Sequence, residues 1–239
     1  MKNLIMGTAA LALSAGLAWA DTVRMGTEGA YPPYNFINDA GEVDGFEREL
    51  GDELCKRAEL TCEWVKNDWD SIIPNLTSGN YDTIIAGMSI TAERDEVIDF
   101  TQDYYPPTVS SYVAASDGVD VTGGVVAAQA TTIQAAHVAE SGATLVEFAT
   151  PEETIAAVRN GEADAVLADR DYLVPIVEES GGDLVFVGDV PLGSGIGIGL
   201  RESDTQLRGK FDAAITSMKE DGSLNELLKK WFGEDTTTY

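Results

Sequence analysis

Short β-rich runs alternate with amphipathic stretches along almost the whole chain. Alternating or continuous apolar positions predict strands at 22–26, 62–65, 83–86, 111–115, 125–128, 144–148, 165–168 and 184–187. Apolar residues at helical spacing predict helices at 46–57, 69–77, 131–140, 151–160, 171–179, 205–220 and 223–232. Thr150-Pro151-Glu152-Glu153 reads as a capping box with Pro in the first turn, and Ser223-x-x-Glu226 as a second helix start. Alternation of this kind predicts an α/β fold with mainly parallel sheets flanked by helices. Two stretches interrupt it. Tyr104-Tyr105-Pro106-Pro107 can continue neither a helix nor a central strand. Residues 193–199 alternate Gly with Ser and Ile, as an extended segment does where another backbone comes close. If both segments cross between lobes, residues 21–108 and 195–239 build the first lobe and 109–194 the second.

The first 20 residues stand apart. Lys2, an apolar run from Leu4 to Leu17 and Ala18-Trp19-Ala20 describe an export signal cleaved after Ala20. No Cys follows the cut, so a lipid anchor there is not supported. The rest has an ordinary globular composition, 44% hydrophobic and 23% charged, which excludes disorder and collagen-like repeats. With 15 basic against 41 acidic residues, the formal net charge of −26 repels nucleic acid. One His and two Cys in the whole chain cannot build a multi-His or Cys-rich zinc site. In an oxidising compartment Cys55 and Cys62 can close a small loop, the alternative being two buried thiols; export favours the bond.

Candidate chemistry is sparse. No G-x-x-x-x-G-K-[ST] is present, and residues 193–199 fail G-x-G-x-x-G because Ile198 and Leu200 stand where the third Gly belongs. With so many acids, carboxylate spacing says nothing about a glycosidase-like pair. Gly87-Met88-Ser89-Ile90-Thr91-Ala92-Glu93-Arg94 is more informative, because a polar turn after a buried strand is where open α/β sheets bind ligands. Ser89 offers a hydroxyl and Arg94 a fork suited to a carboxylate; the plain alternative is a Thr91 helix cap with a solvated Arg94. Ala130-Thr131-Thr132 is a second such turn, ahead of Gln134 and His137, and read alone it is an ordinary helix cap. His137 reads as a surface or internally satisfied side chain.

Taken together, these segments resemble the periplasmic amino-acid-binding proteins of ABC importers, the family of His, Gln, Arg, Lys and opine binders. The resemblance is carried by residues 26–34, by Gly45-Phe46-Glu47-Arg48-Glu49-Leu50 and by Trp69-Asp70-Ser71-Ile72-Ile73-Pro74-Asn75-Leu76. It continues through residues 87–94, Asp99-Phe100-Thr101, Gly161-Glu162-Ala163-Asp164-Ala165 and the closing Asp221-Gly222-Ser223 and Lys229-Lys230-Trp231-Phe232-Gly233. It implies a two-lobed fold with two crossing hinge segments, a ligand trapped between lobes, no cofactor and no catalysis. Arg94, with the backbone N–H groups of Ser89 and Thr132, would clamp the ligand α-carboxylate. The Gly87 carbonyl, Ser89 hydroxyl and Asp169 would hold its α-amino group, Tyr31 and Trp69 would cover its side chain, and Glu28 would face its distal end. Cys55 and Cys62 sit where close relatives carry a disulfide.

An acid at position 28 favours a cationic ligand, lysine, arginine or ornithine; glutamine, histidine and opines are the alternatives. The implied protein is a periplasmic monomer that hands its ligand to an inner-membrane ABC permease. Readings of another class are a cyclohexadienyl dehydratase-like enzyme using Glu28 or Asp169 as general acid, and a sensory ligand-binding module. Two departures from the family pattern stand out. Ala86 replaces a Ser, and Ala130 replaces a Gly, where a positive φ would strain it.

Overall fold

The structure, a computed structural model, describes residues 22–239; the expected export signal lies outside them. The first lobe opens with β1 (Val23–Thr27), β2 (Ala30–Tyr31), β3 (Asn35–Ile37), β4 (Val43–Asp44), α1 (Phe46–Arg57) and β5 (Cys62–Lys66). A 3-10 turn (Trp69–Ser71), α2 (Ile72–Thr77), β6 (Thr83–Ile84), α3 (Ala92–Asp95) and β7 (Asp99–Tyr105) follow. The middle of the chain forms β8 (Val109–Ala114), β9 (Val125–Gln129), α4 (Ile133–Ser141), β10 (Thr144–Phe148), α5 (Pro151–Asn160), β11 (Ala165–Asp169), α6 (Arg170–Glu179) and β12 (Val185–Pro191). The end returns as β13 (Ile196–Leu200), α7 (Thr205–Glu220) and α8 (Ser223–Phe232).

Two five-stranded sheets result, ordered β5-β1-β6-β13-β7 and β10-β9-β11-β8-β12, with a small β2-β3-β4 sheet beside the first. In the first, β1 is parallel to β5 and β6, whereas β13 is antiparallel to β6 and β7. In the second, β9 is parallel to β10 and β11, whereas β8 is antiparallel to β11 and β12. Each sheet is therefore parallel on one side and antiparallel on the other, not mainly parallel throughout. The reason is topological. β8 and β13 are the strands that arrive from the opposite lobe, and each enters running against its new neighbours.

The crossings are short: residues 106–108 lead from β7 to β8, and 192–195 from β12 to β13. The glycines of β13 are required by close approach. A Cβ at Gly197 would lie 2.9 Å from Ile90 Cδ1 and 3.1 Å from the Thr101 carbonyl oxygen. Phe46, Leu50 and Leu54 of α1 meet Phe211 and Ile215 of α7 and Leu224 and Leu228 of α8 in one core. The second lobe buries Val113, Ala127, Val158, Val166 and Leu173. Each such Val, Leu, Ile or Phe side chain contributes about 1.5–3 kcal/mol by leaving water.

Several local expectations change. The 69–77 helix is a 3-10 turn followed by α2, because the Pro74 ring would clash with the Asp70 carbonyl in one continuous α-helix. The capping box at Thr150 and Glu153 is present. The one at Ser223 is not: α8 starts from Gly222, Asp221 accepts the Ser223 N–H at 3.0 Å, and the Ser223 hydroxyl receives Arg57 instead. Strands β2 to β4 are too short to carry a period, so the pattern missed them. β7 was missed because its polar positions face α7, where Asp212 accepts the Gln102 N–H at 2.8 Å. Cys55 and Cys62 are disulfide-bonded, with Cα atoms 6.3 Å apart.

Candidate functional site

The parallel strands of both sheets aim their carboxyl ends at one inter-lobe cleft, the position at which open α/β sheets hold ligands. Glu28 directly follows β1, Gly87 and Ser89 follow β6, Thr132 follows β9, and Asp169 is the last residue of β11. All eight residues singled out in the sequence, Glu28, Tyr31, Trp69, Gly87, Ser89, Arg94, Thr132 and Asp169, line a single cavity between the lobes. Ala86, Gln129, Ile133 and Gln134 complete the lining. His137 does not line it.

Both readings of the 87–94 turn hold at once. Thr91 caps α3 by accepting the Arg94 N–H, and the Arg94 guanidinium turns into the cleft rather than into solvent. It donates to the Ser89 carbonyl at 2.8 Å and to the Thr131 carbonyl of the other lobe at 3.4 Å, and lies 5.5 Å from the Trp69 ring centre. Burial pushes Arg94 down to about 10, opposed by Asp169 and Glu93. The turn is braced by the second crossing: Ile90 donates to the Gly195 carbonyl at 2.9 Å, and Ser194 to the Ile90 carbonyl at 2.9 Å.

Asp169 holds the opposite charge. It sits at the helix-cap position of α6 but its side chain makes no capping bond. Its carboxylate instead accepts Tyr31 OH at 2.9 Å and Gln134 Nε2 at 3.0 Å. Burial and then Asp171 push it up to about 6, against the Tyr31 bond, Arg94 and Gln134. Tyr31 also stacks on Tyr172 across the cleft, with ring centres 4.2 Å apart.

Glu28 is only 5% exposed and accepts Gln129 Nε2 of the second lobe at 2.7 Å. Desolvation raises it to about 7, with Asp68 and Asp70 adding and the Gln129 bond and Lys66 opposing. The Thr132 hydroxyl is committed locally, accepting the Ala135 N–H at 3.1 Å and donating to the Gln129 carbonyl at 2.7 Å. What Thr132 can offer a ligand is its backbone N–H at the start of α4. The expected strain at this turn is displaced by one residue: the positive φ, 59°, belongs to Thr131, not to Ala130.

Sequence reasoning gave Gln129 and Gln134 no role. The available signal was position: Gln129 ends an apolar strand immediately before the Thr pair, and Gln134 lies in the first turn of α4. Among the cavity-lining residues the charged ones are Glu28, Asp169 and Arg94, two acids and one base. Such a set can hold two cationic groups and one anionic group, each desolvated opposite a partner.

Two lobes tied by two short crossing segments around a charged cleft are the architecture of the two-lobed solute-binding proteins. The chain belongs to the bacterial extracellular solute-binding proteins, family 3, whose model matches residues 23–234. It is similar to the crystal structure of a periplasmic His/Glu/Gln/Arg/opine family-binding protein from Silicibacter pomeroyi in complex with lysine. That likeness has a TM-score of 0.90 and 84% identity, covering 91% of this chain and 100% of the other. The L-arginine-binding protein of Pseudomonas aeruginosa is 32% identical, over 98% of both chains. The lysine/arginine/ornithine-binding periplasmic protein of Escherichia coli K12 is 30% identical, over 97% of both.

Proposed function

We propose that the protein captures a cationic L-amino acid, lysine, arginine or ornithine, in the periplasm and delivers it as a monomer to an inner-membrane ABC permease. The observation that carries this reading is the charge inventory of the cavity, Glu28 and Asp169 against Arg94. A cationic amino acid has one anionic and two cationic groups, so every buried charge finds a partner. A neutral amino acid would leave Glu28 either unpaired or protonated.

In this reading Arg94 and the Ser89 and Thr132 N–H groups take the α-carboxylate. Asp169, the Ser89 hydroxyl and the Gly87 carbonyl take the α-ammonium. Glu28 takes the distal cation, and Tyr31 and Trp69 add cation–π attraction of roughly 0.5–2 kcal/mol each. The names of the relatives, which include lysine and arginine binders, support the same ligand class. Contact with both lobes is possible only in the closed form, so ligand drives hinge closure across residues 106–108 and 192–195.

Calorimetric titration of ligand-stripped protein with lysine, arginine, ornithine, glutamine, histidine and octopine tests this. Binding of a cationic member near 1 μM or tighter, about −8 kcal/mol, is expected. Arg94→Ala should abolish it, and Glu28→Gln should weaken it by about tenfold or more. Tight binding of glutamine alone would keep the solute-binding role and overturn the cationic ligand. A second reading rests on Glu28, whose raised value of about 7 also suits a general acid. Turnover of prephenate or arogenate would move the assignment to a dehydratase.

A further inference from the structure

Glu47 is fully buried in the first turn of α1 and does not line the cavity. The hydrogen-bond partners of its carboxyl among the described residues are three neutral donors on three separate segments. Glu47 Oε2 accepts Asn35 Nδ2 at 2.7 Å, while Oε1 accepts the Gly87 N–H at 2.6 Å and the Tyr104 hydroxyl. Asn35 continues the chain, accepting the Gly29 N–H on its Oδ1 at 2.7 Å. Gly29 follows Glu28, Gly87 belongs to the turn carrying Ser89, and Tyr104 lies on β7 just before the first crossing.

The direction of the bonds that begin at a backbone N–H is forced. A backbone N–H can only donate, so Gly29 obliges Asn35 to present its carbonyl there and its NH2 to Glu47. Gly87 N–H likewise obliges Glu47 to accept on its other oxygen. Both carboxyl oxygens therefore accept from these donors, and burial, opposed by the Tyr104, Gly87 and Asn35 bonds, raises the carboxyl above its ordinary value. The helix that carries Glu47 is anchored to the same loop: Phe46 N–H donates to the Pro33 carbonyl at 2.9 Å and Glu47 N–H to the Tyr34 carbonyl at 2.8 Å. Gly45 permits that docking, since a Cβ there would lie 2.6 Å from the Tyr34 oxygen.

We propose that Glu47 is a positioning residue: through Asn35 and Gly87 it locks the Glu28–Tyr31 loop and the Ala86–Ser89 turn into one register beneath the cavity. The proposal rests on the reading that these two segments hold the ligand. It gives a buried carboxyl, 0% exposed and outside the cavity lining, a role in the geometry of specificity.

The polarity of the series supplies its own test. Glu47→Gln replaces one acceptor by a donor, so it faces the Asn35 NH2 or, if Asn35 flips, passes the clash to the Gly29 N–H. Adding Asn35→Asp restores every donor–acceptor pair, because the new carboxylate accepts both the Gln amide and Gly29. Two readouts are taken: amide-hydrogen exchange at Gly29 and Gly87 in ligand-free protein, and lysine affinity by calorimetry. Glu47→Gln is expected to speed exchange at both amides and weaken lysine binding, each by about tenfold or more. Asn35→Asp/Glu47→Gln should recover both to within about threefold.

Unchanged exchange at Gly29 in Glu47→Gln overturns the coupling. Recovered exchange without recovered affinity overturns the role in binding. If Glu47→Gln does not fold, folding of the paired variant with protected amides supports the proposal, and failure of both variants to fold overturns it as a matter separate from stability. If the wild type binds none of lysine, arginine and ornithine, the transport reading falls, while the exchange arm still decides whether the two segments are coupled.

Discussion

Glu28 and Asp169 hold their protons more tightly than ordinary carboxyls do, at about 7 and about 6, chiefly because burial disfavours their charged forms. The folded state thus binds protons that the unfolded chain has released, so this pair favours folding most at low pH and loses that advantage between about pH 4 and pH 7. A cationic ligand reverses the demand, since it needs both acids ionised. Lysine affinity measured calorimetrically should therefore fall as pH drops from 8 to 5.5, approaching tenfold per unit once Glu28 is protonated. Binding near pH 6.5 should release protons to the buffer, and Glu28→Gln should flatten the profile between pH 6 and 8. Thr131 is strained, a β-branched residue at φ 59° whose carbonyl faces Arg94. Thr131→Gly should raise stability by about 1 kcal/mol in a denaturant titration, by removing the left-handed penalty. A neutral or negative result would mean that the threonine side chain offsets its own strain.

The end of α1 is where one segment's chemistry holds two elements together. Ala58 N–H returns to the Leu54 carbonyl and Leu60 N–H to the Cys55 carbonyl, both at 2.9 Å, which turns the chain toward β5. The disulfide from Cys55, on the buried face of α1, to Cys62 at the head of β5 closes this turn covalently. Chain-entropy reasoning puts its contribution at about 2–3 kcal/mol for so small a loop. Cys55→Ser/Cys62→Ser should lower the urea midpoint accordingly while leaving lysine affinity within about twofold, since neither residue approaches the cavity. Loss of binding without loss of stability would place the disulfide in the ligand-holding machinery instead.

Across the whole chain, a net charge of −26 opposes compaction at every pH where the acids are ionised. Positive charge is already spent in pairs such as Arg24–Asp82 at 3.0 Å and Arg208–Asp99 at 2.8 Å, which are partly exposed and individually weak. Screening of the surplus should therefore outweigh screening of these pairs. The Tm is expected to rise between low salt and 0.5 M NaCl, where the Debye length drops to a few ångströms. A falling Tm would mean that the ion pairs dominate. The same surplus lies outside a cavity whose own charges nearly balance, so salt should alter stability more than lysine affinity.

Periodicity and capping signals were enough to place the long helices and most strands of both lobes, because these depend on local chain chemistry, whereas β2 to β4 and β7 escaped them. The eight cavity-lining candidates were legible through the family resemblance of their motifs, with Ser89 and Arg94 also marked by a polar turn after a buried strand. Helix 46–57, strand 144–148, and helices 205–220 and 223–232 end where the pattern says they end. What the tertiary structure alone decided is what depends on partners distant in the chain. Gln129 matters because Glu28 lies 101 residues away, and Glu47 because the Tyr104 hydroxyl and the Gly87 N–H converge on it. Strand direction in β8 and β13 followed from which lobe each strand came from, and Ser223 lost its capping role to Arg57 of another helix. Local propensity acts over one turn or one pleat, whereas burial and hydrogen-bond completion are settled only when the lobes have packed.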